Sequence, residues 1–141
     1  MSREEEFQRY AALVDHYESQ LASIENQYNL IQTAIMDYQK AKFTVEKLAE
    51  TKSGNEMLIP IGGGVFTFAT SKNPSKVLAD VGAGVVIEKN PNDAMKIMDK
   101  RIKGLQMDQE SLTELSKQIQ KQIQAITEKA HELYEQSAGN K

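Results

Sequence analysis

A chain of 141 residues is long enough for one ordinary domain, but 6% aromatic residues, no Trp and 26% charged residues suit long solvent-exposed helices better than a thick globular core. The formal net charge of −3 is carried by interspersed charges of both signs, which argues against a nucleic-acid or anionic-membrane surface. The absence of cysteine excludes disulfides and thiolate-ligated metal sites and fits a reducing compartment.

Met1 to Gln8 are polar and acidic, and no apolar run approaches the roughly 20 residues that span a bilayer. The expectation is a soluble, cytoplasmic protein without a membrane segment. Residues 1–52 hold no Gly and no Pro. Tyr10, Tyr17, Ile24, Ile31, Tyr38 and Val45 recur every seven positions, and Val14, Leu21, Tyr28, Ile35, Lys42 and Ala49 follow four behind each. These are the d and a series of a coiled-coil helix.

Residues 53–90 change texture. Segments 57–61, 65–70, 77–81 and 85–89 are short and rich in β-branched residues. Gly62-Gly63-Gly64 separates the first pair, Asn73-Pro74-Ser75 the middle pair and Gly82-Ala83-Gly84 the last. This pattern predicts two consecutive β-hairpins, with Pro60, which lacks an N–H, on an edge strand. Residues 91–141 return to helix. Asn90 is its N-cap, Pro91 takes the first helical position and Asp93 follows at N3. Met98, Leu105, Leu112, Ile119, Ile126 and Leu133 form its d series; Met95, Ile102, Gln109, Ser116, Ile123 and Ala130 form its a series. At 1.5 Å per residue each helix runs about 65–75 Å.

The fold class is therefore mainly α with a small β element: an antiparallel coiled-coil hairpin with two β-hairpins at its base. In such a pair an a residue faces a d residue of the other helix, so opposed residue numbers sum to a constant, 140 or 147. A sum of 147 sets Val14 against Leu133, Leu21 against Ile126, Ile24 against Ile123 and bulky Tyr17 against small Ala130. It places Tyr38 beside Gln109 and Lys42 beside Leu105, and levels the base near residues 51 and 96. A sum of 140 puts Ile24 against Ser116. The first is preferred for its large–small match and level base. Lys42, Gln109 and Ser116 interrupt the apolar seam either way; Lys42 either fixes register or snorkels.

Catalytic readings find little support. Gly62-Gly63-Gly64 lacks phosphate-loop spacing and precedes a strand, and Gly82-Ala83-Gly84 lacks a third glycine. His16 and His131 fall on outer heptad positions, without acid or His neighbours at ligand spacing. The many acids read as a solvated helix face. No catalytic residue, cofactor or metal is expected.

The segment IPIGGGVF (59–66), followed by KVLADVGAGVVIEK (76–89) and a helix from Pro91, resembles the alpha-class pattern of the prefoldin family. The resemblance covers nearly the whole chain. It implies that two alpha-class and four beta-class subunits pool their hairpins into a double β-barrel carrying six coiled coils. Non-native client proteins are held between the distal tips and delivered to a group II chaperonin, without nucleotide. On this reading the tip residues that contact clients are Phe7, Tyr10, Val14, Tyr17, Ile126, Leu133 and Tyr134, exposed where the helix ends fray.

The hairpins ask for partners on physical grounds as well. Val65, Phe66, Phe68, Val77, Leu78, Val85, Val86 and Ile87 are too many apolar residues for free-standing two-stranded sheets with unpaired edges. They are the expected subunit-assembly residues. The alternative function is a structural coiled-coil adaptor, with the hairpins as an oligomerisation plug and the helices as spacers for one specific partner; an enzyme is a distant third.

Overall fold

A computed structural model describes residues 2–139, so Met1, Asn140 and Lys141 of the expected segments lie outside the described residues. The elements follow in the order α1 (Arg3–Ala49), β1 (Glu56–Gly62), β2 (Val65–Thr70), β3 (Val77–Gly82), β4 (Val85–Lys89) and α2 (Pro91–Gly139).

Both helices begin on caps. At α1 the Ser2 hydroxyl accepts from the Glu5 N–H at 3.2 Å, while the Glu5 carboxylate accepts from the Ser2 N–H at 3.3 Å. This reciprocal pair satisfies two donors, and Glu4, Glu5 and Glu6 complement the positive end of the helix dipole. At α2 the Asn90 Oδ1 accepts from the Asp93 N–H at 2.8 Å, and its amide donates to the Asp93 carboxylate at 3.1 Å. The predicted cap is present; the one at Ser2 was signalled by its S-x-x-E spacing and went unread.

The strands form two separate two-stranded antiparallel sheets, β1–β2 and β3–β4. Pro60 of β1 pairs with Phe66 of β2, and β1 has no second neighbour among the described residues, in line with the expected edge position of Pro60. Each register shifts once before the turn, between Pro60 and Gly62 and between Asp80 and Gly82. The turns are the two-residue kind with positive φ at both positions: Gly63 (60°) and Gly64 (76°), then Ala83 (52°) and Gly84 (75°). That left-handed geometry matches the twist of the flanking strands.

The chain falls into two compact units. One joins Met1–Thr33 with Leu105–Lys141; the other is Ala34–Gly104. In the first, α1 and α2 lie antiparallel, with Leu21, Ile24 and Tyr28 sharing a groove with Leu112 and Ser116. Ile24 and Ile119 are buried there together with Gln109. In the second, Ile35, Ala94 and Ile102 are the buried apolar side chains, and Ser71 the buried polar one.

The preferred helix register is wrong. Ile24 sits with Ser116, not Ile123, and Gln109 lies between Tyr28 and Gln32. In the second unit Lys42 reaches Asp99, not the neighbourhood of Leu105. Opposed numbers therefore sum to about 140 in each unit. In this register both interruptions of the seam are accommodated, Gln109 by Gln32 and Lys42 by Asp99, while the large–small match at Tyr17 is given up. The level base was also misplaced: α1 ends at Ala49 and α2 starts at Pro91, which are opposite one another at 140.

Candidate assembly and capture surfaces

The hairpins, in the second unit, carry the largest share of the exposed apolar side chains; Leu30, Met36, Phe43, Met107 and Leu115 on the helices are open as well. Successive side chains on a strand alternate between faces, so Leu58 and Pro60 share one face with their partners Phe68 and Phe66. Leu58, Phe66 and Phe68 are all exposed, Phe68 to 79%. On the opposite face Ile59 is open as well. Hairpin β1–β2 is thus apolar on both sides. Hairpin β3–β4 is not: Leu78 and Val86 share a face with their partners Glu88 and Asp80, while Val77 and Ala79 lie on the other with Lys89 and Ile87.

Seven of the eight expected assembly residues, Val65, Phe66, Phe68, Leu78, Val85, Val86 and Ile87, are exposed large apolar side chains; Val77 is half-buried. Sequence reasoning left out Leu58, Ile59, Ile61 and Val81, which are equally open. Their strands had been recognised, so the alternation alone could have added them.

Both hairpins are tied to the rest of their unit by polar contacts. Ser71 pairs with the loop after α1: its carbonyl accepts from the Gly54 N–H at 2.6 Å and its own N–H donates to the Asn55 carbonyl at 2.9 Å. The Ser53 hydroxyl donates to the Lys72 carbonyl at 2.8 Å. On α2, the Arg101 guanidinium donates to the Asp80 carbonyl of β3 and lies 5.9 Å from the centre of the Tyr38 ring on α1. One side chain therefore links three elements. Lys42, at a seam position, extends its ammonium to Asp99 at 2.6 Å, with both side chains about half open. This is a snorkelling lysine that also finds a counter-charge.

The expected tip residues lie in the first unit, and they are not splayed out. Helix runs from Arg3 to Ala49 and from Pro91 to Gly139. Phe7, Tyr10, Val14, Tyr17, Ile126 and Leu133 are half-buried, while Tyr134 is 64% exposed. The seam there is thin: residues at d and a positions cover one another but leave their flanks open. Tyr28 is the extreme case, partly exposed beside Thr113 and Ser116, whose small side chains leave a groove.

The His16 ring is 3.2 Å from the Gln20 amide, and His131 pairs with Glu135 at 3.1 Å on an open face. Among the described residues no group of three His, Asp or Glu is placed to hold a metal, and no helix is long and apolar enough to cross a membrane.

Known proteins share this arrangement. A family model described as Prefoldin, prefoldin subunit, matches residues 17–136. A prefoldin subunit alpha of Archaeoglobus fulgidus is 30% identical over 126 residues, covering 89% of this chain and 92% of its own. One of Methanosarcina barkeri is 31% identical over 139 residues, covering 95% of each. A chain in the cryo-EM structure of filamentous PFD from Methanocaldococcus jannaschii superposes with a TM-score of 0.77. That match covers 85% of this chain and 99% of the other at 19% identity, a likeness of fold.

Proposed function

This chain belongs to the prefoldin family, whose subunits are oligomeric chaperones and not enzymes, and from that premise we propose that it is the alpha-class subunit of an ATP-independent cytoplasmic holdase. Two copies join four beta-class subunits through hairpins closed into β-barrels. The helical ends capture non-native polypeptides and hand them to a group II chaperonin.

The observation that carries this reading is the placement of apolar surface. Each hairpin offers unpaired edges and open apolar faces, a surface suited to strand pairing with other chains. The helices carry a narrow seam and scattered open apolar side chains such as Leu30 and Met107, which suits weak, non-specific contact. Because Phe7, Tyr10, Val14 and Tyr17 are half-buried against α2, capture requires the two helices to part locally at the tip, with Tyr134 available from the start. Local opening is easiest at helix ends, where few contacts must be broken. Several such weak contacts on separate arms then give useful avidity.

The test is co-expression with a beta-class subunit, mass measurement of the product, and an assay of aggregation of unrelated unfolded proteins. Removing residues 1–12 and 131–141 together leaves the hexamer intact and sharply reduces suppression of aggregation. Full activity after that deletion rejects capture at the tips. A complex that assembles but suppresses nothing supports the adaptor reading.

A further inference from the structure

One open apolar patch belongs neither to the helix seam nor to the hairpins. Met36 and Phe43 each follow a seam position, Ile35 and Lys42, by one residue, which turns them about 100° away from α2. Met36 is 52% and Phe43 59% exposed. With Gln39, Lys40 and Thr44 they line a shallow groove on the outer side of α1. Leu30 and Met107 are open too, but their neighbours three, four and seven residues away are polar or small. Single exposed apolar side chains are ordinary on any surface; neighbouring ones beside a cation mark a place of contact.

The groove carries charge of one sign. Lys40 is the one charged residue lining it, and it makes no ion pair among the described residues. The Lys47 ammonium lies 5.5 Å from the centre of the Phe43 ring and meets Glu50 only at 3.7 Å. The Thr44 hydroxyl is turned back to the Lys40 carbonyl at 2.9 Å.

We propose that Met36, Lys40, Phe43 and Lys47 form a docking face for an acidic amphipathic helix of another protein. The spacing selects the occupant. Seven residues of helix set Met36 and Phe43 about 10 Å apart, with Lys40 between them. Side chains on one face of an extended strand lie about 7 or 13 Å apart. Those at i and i+7 of a helix lie about 10 Å apart, and a Glu at i+3 or i+4 then falls opposite Lys40. Anchors at such helical spacing are a common means of recognition between a helix and an apolar groove. Charge selects the occupant as well. A carboxylate arriving here meets Lys40 and Lys47 together, while a lysine in its place sets like charge against both. The face is separate from the hairpins and from the tip residues, so it adds a partner and does not depend on capture of clients.

The test uses the full chain in complex with its partner subunits. The probe is a fluorescein-labelled synthetic helix of about 20 residues, rich in Ala, with two Leu a heptad apart and Glu between them. By fluorescence anisotropy it binds at least tenfold more tightly than the same peptide with Lys in place of Glu. Met36→Ser with Phe43→Ser weakens binding at least tenfold, and Lys40→Glu with Lys47→Glu reverses the preference between the two peptides. All four side chains are open, so helicity and assembly stay as they are in these variants. Three results each overturn the proposal: no binding of the acidic peptide, equal affinity for both peptides, or binding indifferent to the Met36 and Phe43 changes, which places the peptide elsewhere on the complex. A partner subunit seated on the face overturns it too. The chain has no cysteine, so Phe43→Cys reports this directly: rapid maleimide labelling in the complex is expected, and protection there with labelling in the free chain gives the face to a partner subunit.

Discussion

Two residues show how local chemistry shapes the elements. Ala83 is the only non-glycine with positive φ among the described residues, at 52°, and it stands where the other hairpin has Gly63. Its Cβ costs about 1–2 kcal/mol in that region, offset by the lower entropy of an unfolded Ala relative to Gly. Ala83→Gly is expected to leave the thermal midpoint unchanged or raise it by up to about 1 kcal/mol equivalent. The partner test is Gly64→Val. No heavy atom lies within 4 Å of the Cβ that Gly64 would carry, so the expected loss of about 1–2 kcal/mol would come from the backbone alone. Asn90 is the second case. Removing its side chain by Asn90→Ala frees the Asp93 N–H and should cost about 1 kcal/mol, read as a lower denaturant midpoint. Asn90 was legible because Pro91 follows it. The Ser2 cap was equally written in the sequence, but nothing comparable drew attention to it.

At the scale of elements, periodicity made both helices and all four strands legible to within a few residues. Alternation of two and recurrence of seven are imposed by geometry, so they survive in any sequence that folds this way. Register is different. The heptads narrowed it to two values, and in the observed one Gln109 and Lys42 meet Gln32 and Asp99, residues outside the a and d series. Weighing apolar pairs alone could not find them. Arg101 was invisible for the same reason: it reaches across to Asp80 and Tyr38, contacts that no local pattern announces. Arg101→Leu is expected to loosen hairpin β3–β4 from α2, accelerating amide exchange over residues 77–89 several-fold while helix content by circular dichroism stays constant. Unchanged exchange there would show that the guanidinium does not hold the hairpin.

For the whole molecule the decisive quantity is how little is buried. Five apolar side chains, Ile24, Ile35, Ala94, Ile102 and Ile119, are the buried core among the described residues. Assembly therefore supplies what a monomer of this length ordinarily supplies for itself. Val65 and Val86 are each 54% exposed in the single chain, so Val65→Asp or Val86→Asp costs the isolated fold little. Placed inside a closed barrel, the same carboxylate would be buried without a partner. Either change should abolish assembly with partner subunits by native mass measurement and leave helicity largely intact. A complex that survives both shows that the hairpins are not the interface. The open apolar strand residues were readable from composition and strand pattern. The tip residues were readable only as seam positions, because half-burial along an open seam depends on a partner helix whose register the sequence did not determine.

The open faces of β1 and β2 also bear on how the cell counts its subunits. An unpartnered copy displays Leu58, Phe66 and Phe68 in a patch indistinguishable from the surface of a misfolded protein, and such a patch attracts chaperones and proteases. A copy in the complex would hide it. If partner subunits cover this patch, surplus chain is marked for removal by the same residues, and its abundance is expected to follow that of its partner. Pulse-chase labelling should give the chain a several-fold shorter half-life when the partner is depleted, and Phe68→Ser should lengthen the half-life of the orphan alone. Equal lifetimes with and without the partner would show that orphan copies escape this surveillance.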